Sequence, residues 1–296
     1  MPEGQIIKAL SGYYYVHEEG SNQIWQCRAR GVFKKRGISP LVGDYVSFEP
    51  SSNGEGTVTE IAKRRNELIR PPIANVDQAL LVFSIEEPEF NQILLDKFIV
   101  HIEKADITPI ICLTKLDLAA TLDGIPEEME IYQKIGYEVF ITSSKTKIGL
   151  SDVEEYLKGK TTVFAGQSGV GKSTLLNELD PSLQIETGEI SLKLGRGRHT
   201  TRHVELIRLP SGGMVADTPG FSQLDFSSIE AEELSGLFLE FRDYSEQCKF
   251  RGCLHQNEPS CAVKSAVEKE EISSQRYQNY LQFLVDIQSE KQKRRY

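Results

Sequence analysis

A chain of 296 residues, 39% hydrophobic and 26% charged, has the composition of a water-soluble protein with room for two or three domains. Its net charge of -9 excludes a chain that is basic throughout, and no apolar run approaches the roughly 18 residues of a membrane span. The start, Met1 to Leu10, lacks a charged segment followed by a long apolar one, so a cytoplasmic protein without a signal peptide and without a membrane role is expected.

Residues 1 to about 66 read as short β-branched and aromatic runs, GQIIKALSGYYYVHE, IWQCRARGVF and GDYVSFEP, broken by Gly, Ser and Asn. They predict a small barrel, of OB type or SH3-like, in which Tyr13 to Tyr15 and Trp25 serve either as core or as stacking platforms for RNA. From about Val76 the pattern alternates. The buried-strand runs DQALLVFSIE, ITPIICLT, YEVFIT and KTTVFAG are separated by the helical segments NQILLDKFIVHIEKA, PEEMEIYQKIG and GLSDVEEYLKG. A helix in KSTLLNELD and two strands, in HVELIRL and GMVADTPG, complete an α/β unit with a mostly parallel sheet. After about Asp225 the chain turns helical. SSIEAEELSGLFLEFRDY predicts an amphipathic helix capped by Ser, and SQRYQNYLQFLVDIQSEKQKRR a terminal one. The expected domains are residues 1–66, 67–225 and 226–296.

GQSGVGKS, Gly166 to Ser173, lies between a strand and a helix, as a phosphate-binding loop requires. Glycines let successive backbone N–H groups curl around a β-phosphate, Lys172 neutralises the β- and γ-phosphates, and the Ser173 hydroxyl meets Mg²⁺. The expected nucleotide contacts are Ala165, Gly166, Gln167, Ser168, Gly169, Val170, Gly171, Lys172, Ser173 and Thr174. DTPG ends a strand, so that Asp217 can serve the Mg²⁺ shell and the Gly220 amide the γ-phosphate. The stretch Thr114, Lys115, Leu116 and Asp117 closes an apolar strand. A carboxylate at Asp117 accepts from guanine N1–H and the exocyclic amine, a donor pair that adenine lacks, while the Lys115 stem lies over the base. Thr114 stands where Asn is the common residue. Ser143, Ser144 and Lys145, in TSSK at the end of the next strand, offer backbone N–H groups to the guanine oxygen.

These parts run in rotated order, with the base-reading motif ahead of the phosphate loop. Such a rotation is permitted when the termini of a compact domain lie close together. In this order the DTPG loop runs directly into the helical region, which it could move as a lever on γ-phosphate loss. Phe221 follows DTPG where many GTPases carry a water-orienting Gln, so slow intrinsic hydrolysis is expected. His199 in the basic loop GRGRHTT is the nearest polar candidate for orienting water; the alternative is an exposed loop histidine.

Cys248, Cys253, His255 and Cys261 form a Cys-x4-Cys-x-His-x5-Cys pattern suited to a closed, structural, tetrahedral Zn²⁺ site. Cys112, inside an apolar run, reads as core. Basic clusters at Arg28 to Gly37, Lys63 to Arg65, Lys193 to Arg202 and in the C-terminal tail suit an anionic partner.

On the β-rich N-terminal region, TKLD, GQSGVGKS, GRHTT, DTPG and the Cys/His cluster, in that order, the sequence resembles the circularly permuted GTPases. Within them it is similar to the ribosome small-subunit-dependent GTPase A (RsgA) family, over nearly the whole chain. The resemblance implies an OB-like barrel, a circularly permuted P-loop GTPase domain and a C-terminal helical zinc-binding domain. It implies a GTP hydrolase that assists late maturation of the 30S ribosomal subunit, is stimulated by that subunit, binds 16S rRNA, and uses GTP/GDP, Mg²⁺ and one structural Zn²⁺. By the family pattern Thr201, rather than its neighbour Thr200, is the second Mg²⁺ ligand. A monomer is the default. Two other classes remain to be weighed: a kinase or ATPase, against which Asp117 argues, and a nucleic-acid-binding module with a vestigial phosphate loop, against which Lys172, Ser173 and Asp217 argue.

Overall fold

A computed structural model of the chain describes residues 1–35, 37–69, 71–119, 126–185, 204–217 and 224–293. The N-terminal part is a closed barrel of β1 (Glu3–Leu10), β2 (Tyr13–Glu18), β3 (Ile24–Ala29), β4 (Tyr45–Pro50) and β5 (Glu55–Ile61), in the order β1-β2-β3-β5-β4. The short helix α1 (Gly31–Lys35) fills the β3–β4 connection, and β3 pairs with β5 in parallel. A five-stranded Greek-key closure of this kind is OB-type, which settles the choice left open by the sequence. Ile6, Val16, Cys27, Phe48 and Val58 fill the barrel. Trp25 packs on Phe48 at 5.8 Å between ring centres, whereas Tyr13 lies under the exposed Arg28 guanidinium.

A two-stranded hairpin, β6 (Glu67–Ile69) and β7 (Pro72–Ala74), leads into a six-stranded sheet. Its strands are β8 (Gln78–Ser84), β9 (Thr108–Thr114), β10 (Glu138–Ile141), β11 (Thr161–Ala165), β12 (Ile207–Arg208) and β13 (Met214–Asp217), ordered β10-β9-β8-β11-β13-β12. All pairs are parallel except β12 with β13. The strict alternation of a parallel strand explains why β8 is apolar throughout. Ala79, Leu81 and Phe83 face the core shared with the barrel, while Leu80 and Val82 face the opposite layer. Helices α2 (Gln92–Lys104), α3 (Glu128–Ile135), α4 (Leu150–Leu157) and α5 (Lys172–Leu179) cover the two faces. The chain moves outward from β8 to β10, returns to the centre at β11, and then fills the other side, with β12 at the edge and β13 between it and β11. The crevice between β8 and β11 is therefore the switch point, and ligands of open α/β sheets bind outside the carboxyl ends of strands at such a point.

Two expectations differ in detail. The strand anticipated in HVELIRL pairs in the sheet only at Ile207 and Arg208; its first half bonds to the barrel instead, Leu206 N–H donating to Ile7 O at 2.7 Å. The single helix anticipated after Asp225 is broken into α6 (Ala231–Leu234), two 3-10 turns and α7 (Arg242–Ser245). A Glu230/Glu233 capping box, not Ser, starts it. Phe238 takes an extended conformation, and this lets both Phe238 and Phe241 enter the core. They pack there with Tyr280 of the terminal helix; α8 (Ala262–Glu268) and that helix, α9 (Ser274–Lys293), complete the unit.

Candidate nucleotide site and metal centre

At the carboxyl end of β11 the chain turns into α5 through the glycine-rich loop. Gly166 (φ 147°) and Gly171 (φ 99°) adopt backbone conformations that favour glycine, and a Cβ on Gly166 would strike the Val82 carbonyl. The loop therefore packs against β8 with nothing between. Lys172 Nζ donates to Gly166 O (2.8 Å) and Gln167 O (2.6 Å), which places the ammonium over the loop. Ser173 is 2% exposed, and its Oγ has no hydrogen-bond partner. A buried hydroxyl without a partner costs free energy, so its presence at the N-terminus of α5 fits a ligand that supplies the missing contact. A Mg²⁺-nucleotide fits this set: Ser173 would hold the metal and Lys172 the phosphates.

The TKLD motif meets this loop. The Thr114 hydroxyl donates to the Val170 carbonyl and lies 3.1 Å from Phe83 O, while the Gly171 Cβ position is 3.5 Å from Thr114 Oγ1. Thr114 thus ties the end of β9 to the phosphate loop across β8. Lys115 adopts a left-handed conformation (φ 62°), and its ammonium donates to Glu87 O. Asp117 is held by Ser143 Oγ at 2.6 Å, with Lys145 Nζ 4.0 Å away. Leu116 N–H donates to Thr142 O at 3.1 Å, joining the segments that follow β9 and β10. The Ser143 amide is used within its own loop, on Ile148 O, so Ser143 acts on Asp117 through its hydroxyl. The amides of Ser144 and Lys145 take no partner among the described residues.

Sequence reasoning missed the segment after β8. Glu87 O receives Lys115, Ser84 Oγ donates to Pro88 O at 2.6 Å, and Pro88 lies 3.9 Å from the Gly169 Cβ position. Its place after a central strand at the switch point was the available signal. Of the remaining site residues, Ala165 ends β11, Thr174 lies in α5, and Asp217 closes β13. His199, Thr200, Thr201, Gly220 and Phe221, with the Asp217 side chain, lie outside what is described.

Cys248, Cys253, His255 and Cys261 converge, with one ligand atom from each within 4.8 Å of the others. Zn–S bonds of about 2.3 Å and Zn–N bonds of about 2.0 Å in a tetrahedron put sulfur pairs about 3.8 Å and sulfur–nitrogen pairs about 3.5 Å apart. The observed separations are 3.9 Å for Cys248–Cys261, and 3.6 Å and 3.3 Å from His255 Nδ1 to Cys248 and Cys261. The residues fit one closed Zn²⁺ site. Ser245 Oγ lies 3.3 Å from His255 Nε2, the ring nitrogen away from the ligand atom. Burial first, then the neighbouring thiols, pushes the Cys253 thiol up to about 12, a cost that a bound cation reverses. Glu258 braces the loop by accepting from the backbone N–H groups of Leu254, Gln256 and Asn257.

No helix among the described residues is long and apolar enough to cross a membrane. The RsgA GTPase family model matches residues 61–227 and the RsgA N-terminal domain model residues 3–58. The chain is 57% identical over 294 residues to a small ribosomal subunit biogenesis GTPase RsgA of Bacillus velezensis, covering 98% of this chain and 99% of that one. It is 56% identical to the protein of the same name from Bacillus subtilis, with the same coverage. Among solved structures, it is similar to YloQ, described as a circularly permuted GTPase, with a TM-score of 0.85, 52% identity, and 98% and 96% of the two chains covered. It is also similar to YjeQ from Thermotoga maritima, with a TM-score of 0.86, 36% identity, and 97% and 98% covered.

Proposed function

The chain belongs to the RsgA GTPase family and is a GTP hydrolase, and from that premise we propose that it acts in the cytoplasm, as a monomer, on the small ribosomal subunit and binds 16S rRNA. The relatives named as small ribosomal subunit biogenesis GTPases support the partner. The exposed Arg28 stacked on Tyr13 of the barrel supports a contact with RNA. We assign residues 1–66 to the barrel, 67–225 to the GTPase and 226–296 to the zinc-binding unit.

One observation carries the site assignment. Asp117 and the Gly166–Ser173 loop, in reversed chain order, meet at the carboxyl ends of β9 and β11 and are bonded through Thr114 and Val170. In this reading Asp117 selects guanine, restrained by Ser143, and the Ser144 and Lys145 amides face its oxygen. Gly166 to Thr174 wrap the phosphates, with Lys172 neutralising charge that develops on the bridging oxygen. Mg²⁺, when bound, neutralises phosphate charge; Ser173, Thr201 and the Asp217 side chain serve it. Gly220 contacts the γ-phosphate. Phe221 cannot orient water, so His199 takes that role on the ribosome. Phe226, shortly after DTPG, is wedged between His101 of α2 and Phe283 of α9, which supports transmission from the γ-phosphate loop to the zinc-binding unit.

The test is phosphate release by the purified protein from GTP and from ATP, with and without isolated 30S subunits. Turnover of GTP alone, raised severalfold or more by 30S, supports the reading. Equal turnover of ATP overturns the role of Asp117, and indifference to 30S overturns the partner.

A further inference from the structure

Val204 to Arg208 joins the two loops on which the proposed chemistry depends. Thr201 precedes it by three residues, and β13, which it pairs with, ends at Asp217. Its two halves belong to different bodies. Ile207 and Arg208 pair with Val215 and Met214 at the edge of the GTPase sheet. One residue earlier, Leu206 N–H donates to Ile7 O of the barrel at 2.7 Å, and Glu205 faces Lys8 in an isolated antiparallel bridge, with Lys8 Nζ 2.9 Å from Glu205 Oε2. Alternation sends Val204 and Leu206 inward, 6% and 3% exposed, into the core that holds Ile6, Val16 and Phe48 of the barrel. Arg208 Nη1 is 3.4 Å from His17 Nε2 on β2. The barrel therefore grips the chain over consecutive residues, in the manner of an added edge strand. The ion pair is half-exposed and contributes little alone; the main-chain bond and the two buried side chains make the hold.

We infer that Ile7, Lys8, Glu205 and Leu206 are positioning residues for GTP hydrolysis: barrel strand β1 fixes the chain shortly after Thr201, so whatever binds the barrel acts on hydrolysis through this joint. Three peptide units span about 11 Å at most, so the point at which the barrel holds Val204 limits where Thr201 can be delivered. The inference deepens the proposed function and rests on its assignment of Thr201.

Two changes to the full, zinc-loaded chain test it. Leu206 donates to Ile7 across the bridge, which makes Lys8 and Glu205 a non-hydrogen-bonded pair with Cα atoms about 4.5 Å apart, within disulfide range. The double variant Lys8→Cys/Glu205→Cys, oxidised, is expected to keep kcat, intrinsic and 30S-stimulated, within about twofold of its reduced form, because the joint persists through turnover. Leu206→Pro removes the donor to Ile7; kcat is expected to fall about tenfold or more, with KM for GTP and GDP affinity unchanged within about twofold. A crosslink that stops turnover until reduced, or a Leu206→Pro chain with full kcat, overturns the inference. Should Leu206→Pro lose GDP binding and so prove misfolded, Leu206→Ala replaces it, removing the buried side chain and keeping the amide: kcat is expected to fall at unchanged GDP affinity, and a kcat equal to that of the wild type overturns the inference. If the wild type ignores 30S, the partner assignment has failed, and intrinsic kcat of the same variants still decides the joint.

Discussion

Arg276, 1% exposed on the terminal helix, forms an ion pair with Asp96, fully buried on α2, and so places a buried charged contact between the GTPase sheet and the zinc-binding unit. Glu240 accepts from the same guanidinium, while Asn279 and Tyr132 donate to Asp96 at 2.7 and 2.6 Å. Burial pushes the Asp96 carboxyl up, and the Arg276 charge opposes that rise. Arg276→Met strands two buried carboxylates and is expected to lower stability by about 3–5 kcal/mol. Adding Asp96→Leu removes one of those charges and is expected to recover part of the loss. Urea midpoints of the two variants check this; a loss below about 1 kcal/mol for Arg276→Met would show the pair to be dispensable.

His101 stacks on Phe226 with 5.6 Å between ring centres, and burial first, then the Lys97 charge, pushes its pKa down to about 4. The unfolded value is about 6.5, so between pH 6.5 and 4 the unfolded chain takes up a proton that the folded chain does not. This group therefore favours unfolding as pH falls through that window, by up to about 1.4 kcal/mol per pH unit. His101→Phe keeps a ring on Phe226 and removes the titration. The stability of the wild type relative to this variant is expected to be constant above pH 7.5 and to decline below 6.5. A difference independent of pH would contradict the assignment.

Asp117 accepts from Ser143, and an Asp117→Asn change replaces an acceptor by an amide. GTP affinity is expected to fall about 10²–10⁴-fold, through loss of two charge-assisted bonds, and xanthine nucleotides, which carry an oxygen in place of the exocyclic amine, are expected to gain. Ser143→Ala leaves the carboxylate in place without its hydroxyl donor, for an expected loss of about tenfold. Nucleotide titrations distinguish these; unchanged guanine preference in Asp117→Asn would remove that residue from base recognition.

Thr114→Ala leaves the Val170 carbonyl without its hydroxyl donor and is expected to weaken GDP binding by about 1–2 kcal/mol, whereas Thr114→Ser retains the bond and is expected to stay near wild type. Equal affinity in all three proteins would show that the bond does not support the phosphate loop.

Chelation of Zn²⁺, or Cys261→Ala, is expected to expose residues beyond about 226 to protease while GDP binding at the GTPase site is retained. Metal content of one Zn²⁺ per wild-type chain and near zero in the variant is the accompanying readout. A metal-free protein with unchanged protease resistance would make the site non-structural.

The parallel sheet was legible because its strands are buried on both faces and read as continuous apolar runs such as DQALLVF. The Gly166–Ser173 motif, the TKLD motif and the Cys/His cluster stood out in the sequence because the chemistry proposed for them needs particular residue types at fixed spacing. What could not be read were partnerships across the chain. Nothing local to Thr114 announces Val170, and nothing in VEL announces Ile7 and Lys8, because a three-residue segment can bond to any open strand edge. The broken helix after Asp225 was missed for a related reason. Its apolar spacing suits a helix, and only the tertiary demand that Phe238 and Phe241 both face Tyr280 pulls Phe238 into an extended conformation.

The rotated strand order also sets a schedule for synthesis. The ribosome that makes this chain releases β8, β9 and Asp117 well before β11 and Gly166, and at about 5–20 residues per second that interval lasts about 2–10 s. During it Asp117 exists without the Gly166–Ser173 loop, and the edge at β8 still awaits β11. Guanine nucleotide can be captured only when the central strand slots in beside β8 and the last strands close the far edge. Nucleotide loading thus certifies that nearly three quarters of the polypeptide has been made and folded.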